Sequence, residues 1–216
     1  MNSNSKKRMR FIFVSALLLT IVLSAVTPGM IAEAKPKVDA QAFHDAMRKL
    51  WEDHITWTRM VIVSTFADLP DQGPTVQRLL QNQQDIGDTI KPFYGDAAGE
   101  QLSALLRDHI LIAAEILQAA EDGDTAALED ATERWYANAD DIAEFLNAAN
   151  PENWPLEEMR AMMREHLDLT VQEAVAYLNG DYAASIDFYD QVHIQALEMA
   201  DMLSEGIIRQ FPNKFN

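Results

Sequence analysis

The chain has 216 residues, 48% of them hydrophobic, with 17 basic side chains against 34 acidic ones and a formal net charge of −17. Acid excess on that scale repels nucleic acid and anionic lipid, which are both held through basic patches. There is no cysteine, so disulfides, zinc–thiolate sites, thiol nucleophiles and lipidation at a cysteine are excluded.

Residues 1–34 read as a secretory signal peptide. Lys6, Lys7, Arg8 and Arg10 form a charged start, an uncharged apolar run covers 11–26, and Ala32-Glu33-Ala34 offers small residues to a signal peptidase. The apolar run falls just short of a typical membrane span. Cleavage after Ala34 is therefore expected over a retained anchor, giving a secreted or extracytoplasmic chain free of the membrane. Residues 35–216 keep 13 basic and 33 acidic side chains, a net of −20. That length fits one domain with a sizeable core.

Beyond the signal, Pro and Gly collect at 69–74, 91–99 and 150–155, with single glycines at Gly123 and Gly180. Between them the apolar residues recur at three- and four-residue spacing, as in Leu102, Leu105, Leu106, His109, Ile112 and Ile116. No stretch alternates like a strand, so the pattern is all-α. It predicts helices over 39–67, 75–91, 97–121, 125–148, 156–178 and 182–210. Paired in order, they form a six-helix bundle of three antiparallel hairpins, over 39–91, 97–148 and 156–210.

An internal repeat supports the pairing. A shift of 57 residues lays the second hairpin on the third without a gap, placing His109 on His166 and Gly123-Asp124 on Gly180-Asp181. Each Gly-Asp pair predicts a tight turn, with a left-handed glycine ending one helix and an aspartate capping the next. A looser copy lies upstream around His54.

Aligned on the histidines, the first helix of each hairpin carries an acid–His pair: Asp53-His54, Asp108-His109 and Glu165-His166. The second carries an amide and, three residues on, an acid: Asn82 and Asp85, Asn138 and Asp141, Gln195 and Glu198. Antiparallel geometry puts each His level with its amide. Taken singly, such a pair is a buried imidazole satisfied by an amide. Threefold recurrence at one height suggests more. Three imidazoles flanked by carboxylates suit zinc, iron, manganese, nickel or copper. On that reading His54, His109 and His166 are metal ligands helped by Asp85, Asp141 or Glu198, while Asn82, Asn138 and Gln195 orient the rings from behind.

Asp190 and His193 have the three-residue spacing of a helical metal motif, but His193 reads better as a partly exposed side chain, and His44 as a surface residue. Met159, Met162, Met163, Met199 and Met202 align with Leu, Ile and Phe of the second hairpin and read as core fillers. Trp51, Trp57 and Trp135 read as apolar anchors. Arg59 and Lys91 are the basic residues able to meet inward acids or a bound anion. Nucleotide loops, nucleophile elbows and zinc-protease motifs are absent.

The segments WTR at 57–59, LLQNQQDIG at 79–87, KPFYG at 91–95, DHILIAAE at 108–115, WYANAD at 135–140 and ANPENWP at 149–155 resemble a family of exported bacterial all-helical proteins. The resemblance spans the mature chain; it implies an exported all-α fold and carries no activity with it. The sequence thus points to an exported helical-bundle binding protein for a transition-metal ion. The alternatives are a non-catalytic cell-envelope interaction or small-ligand module without metal and, ranking lower for want of a nucleophile or general base, a metal-dependent enzyme.

Overall fold

The structure, a computed structural model, describes residues 37–216; the signal-peptide reading of 1–34 lies outside the described residues. Six helices follow one another: α1 (Ala40–Phe66), α2 (Gln72–Tyr94), α3 (Asp96–Asp122), α4 (Thr125–Ala149), α5 (Leu156–Leu178) and α6 (Tyr182–Gln210). Among the described residues there is no strand, and none of the helices is long and apolar enough to cross a membrane. Each helix packs on the next, α6 returns onto α1, and α1 also touches α3 and α5. The hairpins α1–α2, α3–α4 and α5–α6 therefore form one closed bundle.

The turns follow from local chemistry. Gly123 (φ 69°) and Gly180 (φ 77°) take the left-handed conformation, and the amides of Asp124 and Asp181 reach back to the carbonyls of Ala119 and Ala176. The carboxylates of the same two aspartates then accept from Ala127 N and Ala184 N, capping α4 and α6. In the first hairpin Asp68 occupies the left-handed position at φ 47°, and Ser64 Oγ donates to Asp71 in the longer turn.

Helix α2 departs from the expected 75–91. It begins at Gln72 and runs through Pro92 to Tyr94. Pro74 sits in its first turn, where a missing N–H costs nothing, and Lys214 Nζ donates to the Pro92 carbonyl in its last turn. Only Gly95 separates α2 from α3. These two helices touch backbone to backbone at Gly87 and Gly99: a Cβ on Gly87 would stand 2.6 Å from the Gly99 oxygen.

Side-chain size divides the interior. At the end where Val38 meets Phe215, Met47, Trp51, Ile86, Leu106, Ile142, Trp154, Met163, Met199 and Ile207 form a dense core, with a residual void of about 20 Å³. Met159, Met163 and Met199 are buried within it, as core fillers should be. Trp57 is only half-buried, under the Arg78 guanidinium, whereas Trp154, whose indole Nε1 donates to the Met202 carbonyl, is fully buried. Val38 pairs with Phe215, tying the start of the described chain to its end.

Candidate functional site

His54, His109 and His166 come together in the middle of the bundle. Their exposures are 4%, 4% and 3%. The ring of His166 lies 6.0 Å from that of His54 and 6.3 Å from that of His109, centroid to centroid. Each His sits on the first helix of its hairpin, one step from a buried apolar neighbour (Ile55, Ile110 and Leu167).

A shared scaffold holds the rings from behind. Asn82 Nδ2 donates to Leu50 O at 2.9 Å, Asn138 Nδ2 to Leu105 O at 3.1 Å, and Gln195 Nε2 to Met162 O at 3.1 Å. Each acceptor is the carbonyl four residues before the His of that hairpin. These bonds turn the amide oxygens toward the rings. His54 Nδ1 meets Asn82 Oδ1 at 3.3 Å and His109 Nδ1 meets Asn138 Oδ1 at 2.9 Å. An amide oxygen only accepts, so the network assigns the proton of both rings to Nδ1. In the third hairpin Gln195 raises the His166 pKa, yet no hydrogen bond closes between them; His166 Nδ1 and Gln195 Oε1 are both buried without a partner.

Burial dominates the titration of all three. It lowers His54 and His109 to about 3, with the His166 ring adding to the drop and the amides opposing it, and lowers His166 to about 4. Near neutral pH the rings are uncharged. Their Nε2 atoms accept no hydrogen bond among the described residues, and none is sealed off from the cavity that the rings border.

That cavity fills the hairpin-turn side of the histidine layer and holds about 240 Å³. Val61, Ile62, Leu79, Ile110, Leu117 and Ala174 are among its walls, and no Asp, Glu, Lys or Arg lines it. Val175 and Leu178, which also line it, are exposed, placing its mouth near the end of α5. The hollow follows from size. Four residues beyond the histidines stand Thr58, Ala113 and Thr170, whereas three residues before them stand Trp51, Leu106 and Met163.

The carboxylates expected beside the imidazoles are elsewhere. Asp141 and Glu198 are exposed. Asp85 is partly exposed and accepts from Gln81 at 2.9 Å. Helix geometry explains this correction. A residue three beyond the amide is turned about 60° to one side of it, and one four beyond about 40° to the other. The core takes the latter in every hairpin: Ile86, Ile142 and Met199, each 2% exposed. The acid is left on the flank. Among the described residues no group of three or more His, Asp or Glu is arranged to hold a metal ion.

The remaining candidates also lie outside the cavity. His193 stacks on Tyr189 and approaches Glu52 at 3.7 Å, while Asp190 is exposed. His44 is less of a surface residue than expected: its Nε2 lies 3.0 Å from Asp201, which also binds Arg48. Lys91 pairs with Asp88.

Sequence reading missed one buried charge. Glu173, 1% exposed, receives Arg59 Nη1 at 2.9 Å, and the same nitrogen lies 2.5 Å from Ser185 Oγ. Burial pushes the Glu173 carboxyl up to about 7 despite the guanidinium. The signal was present, since in the repeat register Glu173 stands where the other hairpins carry Val61 and Ile116.

Comparison of the chain with family models, with curated proteins and with solved structures gives no match.

Proposed function

We propose that the protein is an extracytoplasmic binding protein that holds a small, mainly apolar molecule in the cavity above the three imidazoles. The observation that carries this reading is the cavity itself. It combines 240 Å³ of apolar space with a few convergent polar atoms, the usual composition of a small-molecule site. An empty apolar cavity is also expensive. On a scale of about 24 cal/mol per Å³, leaving it vacant forgoes up to about 6 kcal/mol of stability. A void of 150 Å³ takes benzene, so this one suits a ligand of about ten non-hydrogen atoms by the same ratio.

Export rests on the signal-like segment and the acidic surface, and the resemblance to exported helical proteins agrees with it. The test is calorimetric titration of residues 35–216 with single-ring compounds of that size at neutral pH. Saturable one-to-one binding is expected. A panel that gives no heat and no thermal stabilisation removes this reading.

A second reading keeps the transition metal, now on His54, His109 and His166 without carboxylates. It is favoured by three neutral imidazoles whose outer nitrogens are free and whose inner ones face fixed amides, the arrangement that orients metal-binding histidines. Elemental analysis of protein purified without chelator or affinity tag tests it. Near-stoichiometric zinc, iron, manganese, nickel or copper supports it; none after reconstitution ends it.

A further inference from the structure

The cavity offers a ligand almost nothing but acceptors. The amide oxygens of Asn82 and Asn138 claim the Nδ1 protons of His54 and His109, and Gln195, fixed through Met162, turns the same atom toward His166. The Nε2 atoms of His54 and His109 are therefore lone pairs, and His166, whose Nδ1 has no partner among the described residues, offers a third when it carries its proton on Nδ1 as the other two rings do. The donors in the wall are spent elsewhere. Thr58 and Thr170 give their hydroxyl protons to the carbonyls of His54 and His166, Trp135 Nε1 donates to His109 O, and Tyr136 donates to Asp168. Thr132 alone is uncommitted. No Lys or Arg faces in.

A carboxylate or phosphate head would find no cationic side chain there and a single uncommitted hydroxyl, that of Thr132. A head with several N–H groups would satisfy the floor. We infer that the cavity binds a primary amine, a small aryl- or alkylamine whose ammonium gives one hydrogen bond to each of His54, His109 and His166 while its apolar body fills the space above. This deepens the small-ligand reading and rests on it.

The ring spacing favours this head over a shared metal. For imidazoles aimed tetrahedrally at one centre, metal–nitrogen bonds of about 2.05 Å place ring centroids about 5.2 Å apart. Hydrogen bonds of about 2.9 Å place them about 6.6 Å apart. The centroid distances of 6.0 and 6.3 Å in the structure lie nearer the second value. Bonds from an ammonium are charge-assisted and about twice as strong as neutral ones. The strongly acidic chain also raises the local concentration of a cation at the cavity mouth.

The test is calorimetry at pH 7.5 on residues 35–216 with 2-phenylethylamine, propylbenzene, 3-phenylpropionate and N,N,N-trimethyl-2-phenylethylammonium, four probes with similar bodies and different heads. The amine is expected to bind at least tenfold tighter than propylbenzene, with the carboxylate and the trimethylated amine weaker than either. In the double variant His109→Leu/Asn138→Leu, which leaves no orphaned amide, the amine-over-hydrocarbon preference is expected to fall at least tenfold. If propylbenzene binds as tightly as the amine, the inference fails while the cavity reading stands. If none of the four binds, both fail. Stoichiometric zinc binding that displaces the amine with all three rings engaged gives the floor to a metal and overturns the inference.

Discussion

Two regions built from the same three hairpins differ twelvefold in empty space: about 20 Å³ on one side of the histidine layer and about 240 Å³ on the other. On the packed side every hairpin sends large side chains inward, Trp51 with Ile86, Leu106 with Ile142, and Met163 with Met199. On the hollow side the first residues inward are Thr58, Ala113 and Thr170. Next to the histidines the side chains are large on the packed side and small on the hollow side. The imidazole layer is the boundary. It serves the packed half as a lid in which two of the three amide–imidazole pairs are hydrogen-bonded, and it gives the hollow half its polar floor.

That boundary carries the largest expected effect. In the unfolded chain the histidines titrate near 6.5, whereas in the folded one they are held down to about 3, 3 and 4. A folded-state pKa below the unfolded one means stability is lost as pH falls, beginning near 6.5 and ending once the folded rings protonate. Between pH 7.5 and pH 5 the loss is about 2 kcal/mol per ring, or about 6 in all. Glu173 works in the opposite sense. Held up to about 7 against an ordinary 4.5, it takes up its proton in the folded state first, returning about 2 kcal/mol over the same interval. Urea unfolding across that range should therefore show a net loss near 4 kcal/mol, deepened by Glu173→Gln. A stability that holds level down to pH 5 would mean the rings are hydrated or already charged.

The packed half was far more legible in the sequence than the hollow half. Helical periodicity and the Gly-Asp turns locate α3 to α6 within a residue or two, because each rests on local rules. The histidine–amide pairing was legible too, since hairpin height is set by residue number once the turn is known. Rotation about the helix axis was not. Asp85, Asp141 and Glu198 share the height of the site but lie on the flank, because Ile86, Ile142 and Met199 compete for the inward direction and win by burial. The cavity was hidden for a related reason. Small residues at Thr58, Ala113 and Thr170 can mean close helix approach or empty space, and only the crossing of the helices decides which. Glu173 required noticing a charge where its counterparts are Val61 and Ile116.

The same enlargement made on both sides sharpens the contrast. Ala143 is wholly enclosed on α4 in the packed half, and Ala143→Leu should cost about 1–3 kcal/mol by overpacking. Ala113 faces the cavity, and Ala113→Leu should be neutral or add about 0.5–2 kcal/mol by filling it. The cavity-filling variant should also lose affinity for any ring-sized ligand. Denaturant midpoints at neutral pH without ligand read the first pair of effects, and calorimetry reads the last. Two destabilised variants of equal size would show that the upper half is closed in solution.

The smallest expected effect concerns the displaced carboxylates. Asp141 and Glu198 are exposed, and Asp85 is bound to Gln81 one turn back along its own helix. None of the three lines the cavity. Asp85→Asn, Asp141→Asn and Glu198→Gln should each change stability by no more than about 0.5 kcal/mol, as surface substitutions usually do. Their effect on ligand affinity should stay within about twofold, the residue of a weak field screened by solvent and salt. The measurement is calorimetry of each variant beside the unaltered protein, once with an organic ligand and once with zinc. A large loss confined to zinc would mean that a carboxylate swings inward when metal binds, restoring the mixed His–carboxylate site that helix rotation argues against. Loss of neither leaves His54, His109 and His166 as the polar floor of the cavity.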